Sequence, residues 1–203
     1  MVVVKICGIT SVEDALAAVQ AGADWIGLNF YSRSPRCVDL AVAERIVASL
    51  PETTKAVGVF VNAPREEVEA IARRLGLHML QFHGDEPPEY CRDWSWPVIK
   101  AVRGVGPEAL RYAEAFATAY LLIDAFAPLQ YGGTGRVVDW SALATWKAPR
   151  PLILAGGLTP DNVATAVRVV APFAVDVASG VEVAPGRKDR VAMRRFVEHA
   201  KAA

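Results

Sequence analysis

Along this chain, short runs rich in Val, Ile and Leu alternate with stretches in which apolar residues recur at helical spacing. The runs predict strands at 2–7, 25–30, 56–61, 78–82, 97–102, 119–123, 151–155 and 173–177. The helical spacing predicts helices at 12–19, 40–50, 65–75, 86–94, 107–116, 140–146, 160–169 and 189–201. Ser11, with Asp14 three residues on, reads as a helix cap, and Ala21-Gly22 as the stop of the helix it opens. Every strand is followed by a helix, which makes eight βα units with short connections. That pattern favours a closed (β/α)₈ TIM barrel over an open doubly wound sheet. No break in composition marks a linker, so residues 1–203 are expected to form a single barrel domain.

The first strand carries apolar residues on both faces, as suits a parallel strand covered on each side. Alternation groups Val3, Lys5 and Cys7 on one face and puts Cys7 at the carboxyl end, where barrel strands deliver side chains to a ligand. Taken alone, Cys7 better fits a small buried hydrophobe, the usual role of a free cysteine. A barrel enzyme, however, should collect its chemistry just after each strand, and the chain shows that bias. Strand ends carry Cys7-Gly8, Phe30 with a loop to Arg36, Gln81-Phe82-His83-Gly84, Asp124, Gly156-Gly157 and residues 176–180, whereas helix-to-strand turns such as Leu75-Gly76 are bland. The longest connection, 125–139, contains Tyr131-Gly132-Gly133-Thr134-Gly135 and reads either as a loop that closes over a ligand or as an ordinary turn. Neither a Walker lysine nor a G-x-G-x-x-G pattern accompanies it, so no nucleotide loop is expected there.

Charge and cysteine usage narrow the function classes. Lys plus Arg and Asp plus Glu are both 22, so net charge draws the protein to neither nucleic acid nor an anionic membrane. Cys7, Cys37 and Cys91 are odd in number and far apart, which suits neither a disulfide framework nor a zinc knuckle and points to reduced thiols in the cytoplasm. With no apolar stretch near the roughly 18 residues of a membrane span and no signal-peptide pattern, a soluble, unprocessed protein is expected.

Four features point to specific chemistry. Leu152-Ile153-Leu154-Ala155-Gly156-Gly157 and Ala174-Val175-Asp176-Val177-Ala178-Ser179-Gly180 are each a strand running into glycine, and barrel loops after strands seven and eight often bind phosphate through backbone N–H groups. Asp124 closes an apolar run where a structural residue would be apolar, so it reads as a catalytic carboxylate, or else as a cap or an ion-pair partner of Lys5 or another barrel lysine. Lys5 reads as a charged neighbour of Cys7 or as a Schiff-base amine. Arg36 is either a solvated loop charge or a fork for a substrate carboxylate.

Together Lys5-Ile6-Cys7-Gly8-Ile9-Thr10, Ser34-Pro35-Arg36, Gln81-Phe82-His83-Gly84-Asp85-Glu86, Asp124, Gly132-Gly133-Thr134-Gly135, Gly156-Gly157-Leu158 and Ser179-Gly180-Val181-Glu182 resemble the phosphoribosylanthranilate isomerases of tryptophan biosynthesis. The resemblance spans nearly the whole chain. It implies an Amadori rearrangement of N-(5'-phosphoribosyl)anthranilate to 1-(2-carboxyphenylamino)-1-deoxyribulose 5-phosphate, with no cofactor and no metal. Carried over by position, the general base falls on Cys7 and the general acid on Asp124. The carboxylate-binding arginine falls on Arg36, further substrate contacts on Gln81 and His83, and the phosphate loops on Gly156, Gly157, Ser179 and Gly180. The implied partner is a small phosphorylated molecule, with no nucleic acid or membrane, and the assembly a monomer or homodimer. The chain departs from the family pattern at Asn29, usually apolar, and at Ala178, often serine. Two other readings compete at this point: a phosphosugar aldolase or lyase using Lys5, and a catalytically silent barrel that senses phosphorylated metabolites.

Overall fold

The computed structural model describes residues 1–125 and 140–203. The loop containing Tyr131-Gly132-Gly133-Thr134-Gly135 therefore lies outside the described residues. Eight parallel strands close into a barrel in sequence order: β1 (Val3–Cys7), β2 (Trp25–Asn29), β3 (Lys55–Phe60), β4 (Met79–Phe82), β5 (Val98–Arg103), β6 (Tyr120–Asp124), β7 (Leu152–Ala155) and β8 (Ala174–Val177). Closure comes from β1 pairing with β8 as well as with β2, which leaves no open edge. The helices that cover the barrel are α1 (Val12–Gln20), α2 (Leu40–Ser49), α3 (Arg65–Leu75), α4 (Pro107–Ala113), α5 (Ser141–Thr145), α6 (Val163–Val170) and α7 (Arg190–Lys201).

Period-two alternation divides the strands between two apolar layers. Outward residues such as Val4, Ile6, Leu80 and Leu154 pack under the helices. Inward residues, among them Trp25, Val57, Met79, Ile99, Leu122 and Ile153, fill the barrel and give it a solid floor. Above that floor the interior turns polar: Lys5, Gln81 and Asp176 are all buried. Ser11 caps α1 by accepting the Asp14 N–H, as the spacing predicts.

The helix expected at 86–94 is replaced by turns. Local chemistry competes with helix formation along the whole stretch. The Glu86 carboxylate turns inward to accept the N–H groups of Asn62 and Gly84 and to pair with buried Lys100 at 2.6 Å. Pro87-Pro88 removes two backbone donors. Tyr90 and Trp94 fold onto Phe82, while Arg65 lies over the Trp94 ring and donates to the carbonyls of Tyr90, Arg92 and Asp93. A guanidinium thus satisfies carbonyls that a helix would have bonded internally.

After β8 the chain adds features that the hydrophobic pattern does not predict. A short 3₁₀ turn at Ser179–Val181 leads into an antiparallel hairpin, β9 (Glu182–Ala184) and β10 (Arg187–Lys188), which returns the chain to the barrel mouth. Gly180 sits where the two glycine loops touch, since a Cβ there would fall on the Leu158 carbonyl. The sequence assigns Gly180 to close approach by a ligand; in the fold its first demand is close approach by the neighbouring loop. Gly180→Ala should therefore lower stability by about 1–3 kcal/mol and weaken binding of ribose 5-phosphate together with it, measured by chemical denaturation and titration. Unchanged stability would show that the loops are free to separate.

Candidate active site

The carboxyl ends of the strands open into a cavity of about 810 Å³. Cys7, Gln81 and Asp124 reach it from β1, β4 and β6, and Arg36, His83, Gly156, Gly157, Ser179 and Gly180 from the loops, so the nine residues that the resemblance assigns to the site line one space. Gly156 and Gly157 have φ of 89° and 68°, in the left-handed region open to glycine.

Cys7 stands beside a buried charge pair. Lys5 Nζ donates to Asp176 Oδ1 at 2.9 Å, with the lysine side chain fully buried. The reading of Asp124 as a partner of Lys5 is thus corrected: alternation puts Asp176 on the inward face of β8, directly across the register from Lys5. Space for the thiol and the ammonium to lie together comes from Gly27, where a Cβ would stand 2.8 Å from Cys7 Sγ and 2.9 Å from Lys5 Nζ. Burial pushes the Cys7 thiol above its ordinary pKa, although Lys5 pulls the other way. Burial by itself would lower Lys5, but Asp176 and Cys7 outweigh it and hold the amine charged above its usual range. A charged amine is a poor Schiff-base nucleophile, which disfavours the aldolase reading.

On the opposite wall His83 Nε2 lies 3.7 Å from Asp124 Oδ2. Gln81, fully buried two residues earlier, places its Nε2 3.0 Å from His83 Nδ1. With the Gln81 amide donating to Nδ1, the proton of a neutral His83 sits on Nε2, facing the carboxylate. Asp124 shares its level with Arg103, its register partner on β5, whose Nη2 donates to the His83 carbonyl at 3.3 Å. Arg103 was missed in the sequence because the predicted strand stops one residue short of it.

Arg36 presents a fork that is already half used. Its Nε and Nη2 donate to Glu182 at 2.7–3.1 Å, so one edge of the guanidinium is committed and the outer edge is the one on offer to a ligand. Asn29 braces the same loop: its Oδ1 accepts the Tyr31 N–H at 2.8 Å and its Nδ2 donates to Ser34 Oγ at 3.2 Å. Among the described residues, no helix is long and apolar enough to cross a membrane.

A closed barrel whose strand ends bring a thiol, a carboxylate and an arginine to one cavity defines the class, a (β/α)₈-barrel protein with its candidate site at the mouth. Comparison with known proteins names the kind. The family model described as N-(5'-phosphoribosyl)anthranilate (PRA) isomerase matches residues 4–199. The N-(5'-phosphoribosyl)anthranilate isomerase of Geobacter sulfurreducens is 52% identical over 201 residues, covering 99% of each chain. The crystal structure of phosphoribosyl anthranilate isomerase from Thermotoga maritima superposes with a TM-score of 0.91 at 44% identity, covering 100% of both chains. A structure of the enzyme in complex with reduced 1-(o-carboxyphenylamino)-1-deoxyribulose 5-phosphate matches at a TM-score of 0.87 and 42% identity, again over 100% of both chains. The chain belongs to the N-(5'-phosphoribosyl)anthranilate isomerase family.

Proposed function

We propose that the chain carries out this family's step of tryptophan biosynthesis with Asp124 as general acid and Cys7 as general base. The observation that carries this division is their placement at the ends of β6 and β1 on opposite sides of one cavity. Opening the aminofuranose requires a proton on the ring oxygen as the C1'–O bond breaks. The protonated Schiff base that results loses its C2' proton to a base, and the enolamine so formed tautomerises to the ketose as C1' gains a proton and the C2' hydroxyl loses one. Asp124 supplies the first proton and the Cys7 thiolate removes the second. The substrate carboxylate meets the outer edge of Arg36, Gln81 and His83 face the sugar, and the phosphate rests on Gly156, Gly157, Ser179 and Gly180. This binding mode is supported by the ligand held by the solved relative, a phosphorylated o-carboxyphenylamino sugar.

Residues 1–203 act as one catalytic domain on a small molecule, without nucleic acid or membrane, in the cytoplasm, as a monomer or homodimer; the Thermotoga maritima relative is dimeric. The test is a fluorescence assay of freshly generated phosphoribosylanthranilate, whose consumption is expected. Absence of turnover would sink the assignment.

Arg36→Met should raise KM about ten- to a hundredfold with little change in kcat, the loss of a charged hydrogen bond that holds ground state and transition state alike. Lys188 remains beside Glu182 to pair its charge, so the loss falls on the ligand. An unchanged KM would move the carboxylate elsewhere, with Arg103 the next cation to test.

A further inference from the structure

The hairpin after β8 returns one lysine to the base of the active site. Lys188 has a fully buried side chain, and its ammonium donates to the Cys7 carbonyl at 2.6 Å, the Ala178 carbonyl at 3.1 Å and Glu182 Oε1 at 2.8 Å. An ammonium has three protons, and these three acceptors use them all. The acceptors belong to three different parts of the proposed site. Cys7 is the base, Ala178 precedes the phosphate-loop residue Ser179, and Glu182 grips Arg36. The lysine is itself held, since its N–H donates to buried Asp14 of α1 at 2.9 Å.

Stability alone does not account for a charge in this position. Burying an ammonium costs several kcal/mol before its partners repay any of it, and an apolar side chain would fill the space more cheaply. Burial pulls the Lys188 pKa below its ordinary value despite Glu182. Geometry and charge point instead to the ligand. Because C=O and N–H of one peptide plane point in opposite directions, pinning the Ala178 carbonyl on Lys188 aims the Ser179 N–H away from the lysine. Two cations, Arg36 and Lys188, share the carboxylate of Glu182, which leaves the outer edge of the Arg36 guanidinium for an anion.

We propose that Lys188 is a positioning residue that couples the two ends of the ligand, fixing the phosphate loop through Ala178 and the carboxylate-binding Arg36 through Glu182 from one buried ammonium. The inference rests on the binding mode proposed above. It predicts that one substitution, remote from both anions, weakens both.

The test uses the two half-ligands as competitive inhibitors of the full chain: anthranilate, which has the carboxylate but no phosphate, and ribose 5-phosphate, which has the phosphate but no aryl carboxylate. Lys188→Met should weaken each by about tenfold or more, whereas Glu182→Gln should weaken anthranilate alone. Loss of anthranilate affinity only in Lys188→Met, or of neither, overturns the coupling. If Lys188→Met does not fold, the double variant Glu182→Gln/Lys188→Met, which removes both charges of the Lys188–Glu182 pair together, is read the same way, and loss confined to anthranilate again overturns it. Two controls separate this failure from failure of the binding mode. Arg36→Met must weaken anthranilate, and Gly157→Val must weaken ribose 5-phosphate; if either does not, the placement of that anion is wrong and the coupling falls with it.

Discussion

Asp124→Asn keeps its fold and loses about 10²–10⁴ in kcat, and Cys7→Ala loses as much, while both still bind a product analogue. Asparagine matches the shape of the carboxyl group but has no acidic proton to give the ring oxygen. Alanine fits a site where Cys7 is only partly exposed, so neither change need disturb the barrel. The order of the chemistry makes the two failures different. Without its acid, the Asp124 variant stalls with the cyclic substrate. Without its base, the Cys7 variant still opens the ring and accumulates the Schiff base, visible in a single-turnover absorbance experiment. A Cys7→Ala protein with near-normal kcat would return that cysteine to a packing role.

Lys5→Met should destabilise the protein by about 3–5 kcal/mol, because it strands Asp176 as a buried carboxylate with no cation. The pair lies in the barrel interior, with side chains 0% and 8% exposed, so water reaches Asp176 only from the cavity it lines and replaces little of the lost partner. Chemical denaturation measures the loss, and Asp176→Asn in the same chain should recover most of it by removing the stranded charge. The thiol provides a second readout. Lys5 opposes the burial of Cys7 more strongly than Lys188 does, so its removal drives the Cys7 pKa further up. The thiolate exists above that pKa, so the alkylation rate of Cys7 rises with pH in both proteins, and its midpoint shifts to higher pH in Lys5→Met. Peptide-level mass spectrometry distinguishes Cys7 from Cys37 and Cys91. A variant of wild-type stability would mean that Asp176 is served by another cation; an unmoved midpoint would free Cys7 from Lys5.

Continuous apolar runs for the strands and period 3.6 along the helices made the barrel legible in the sequence, because a strand buried on both faces and a helix buried on one leave different apolar rhythms. Alternation grouped Cys7 with Lys5 on one face of the first strand, and Cys7 and Asp124 each close an apolar run, a position that in a barrel lies at the mouth. Position-specific motifs then supplied Arg36, Gln81, His83 and the glycine loops. What escaped was decided by contacts between residues far apart in the chain. The turns at 86–94 follow from Glu86 reaching Lys100 and Arg65 reaching the carbonyls of Tyr90, Arg92 and Asp93, interactions no local window contains. Asp176 became the partner of Lys5 only when β8 closed onto β1, 171 residues away in sequence. The commitment of Arg36 to Glu182, and of Lys188 to Cys7, Ala178 and Glu182, likewise required the hairpin to fold back over the mouth. Local periodicity reports which face of an element is buried; which charge meets which across that buried space is set by closure of the barrel.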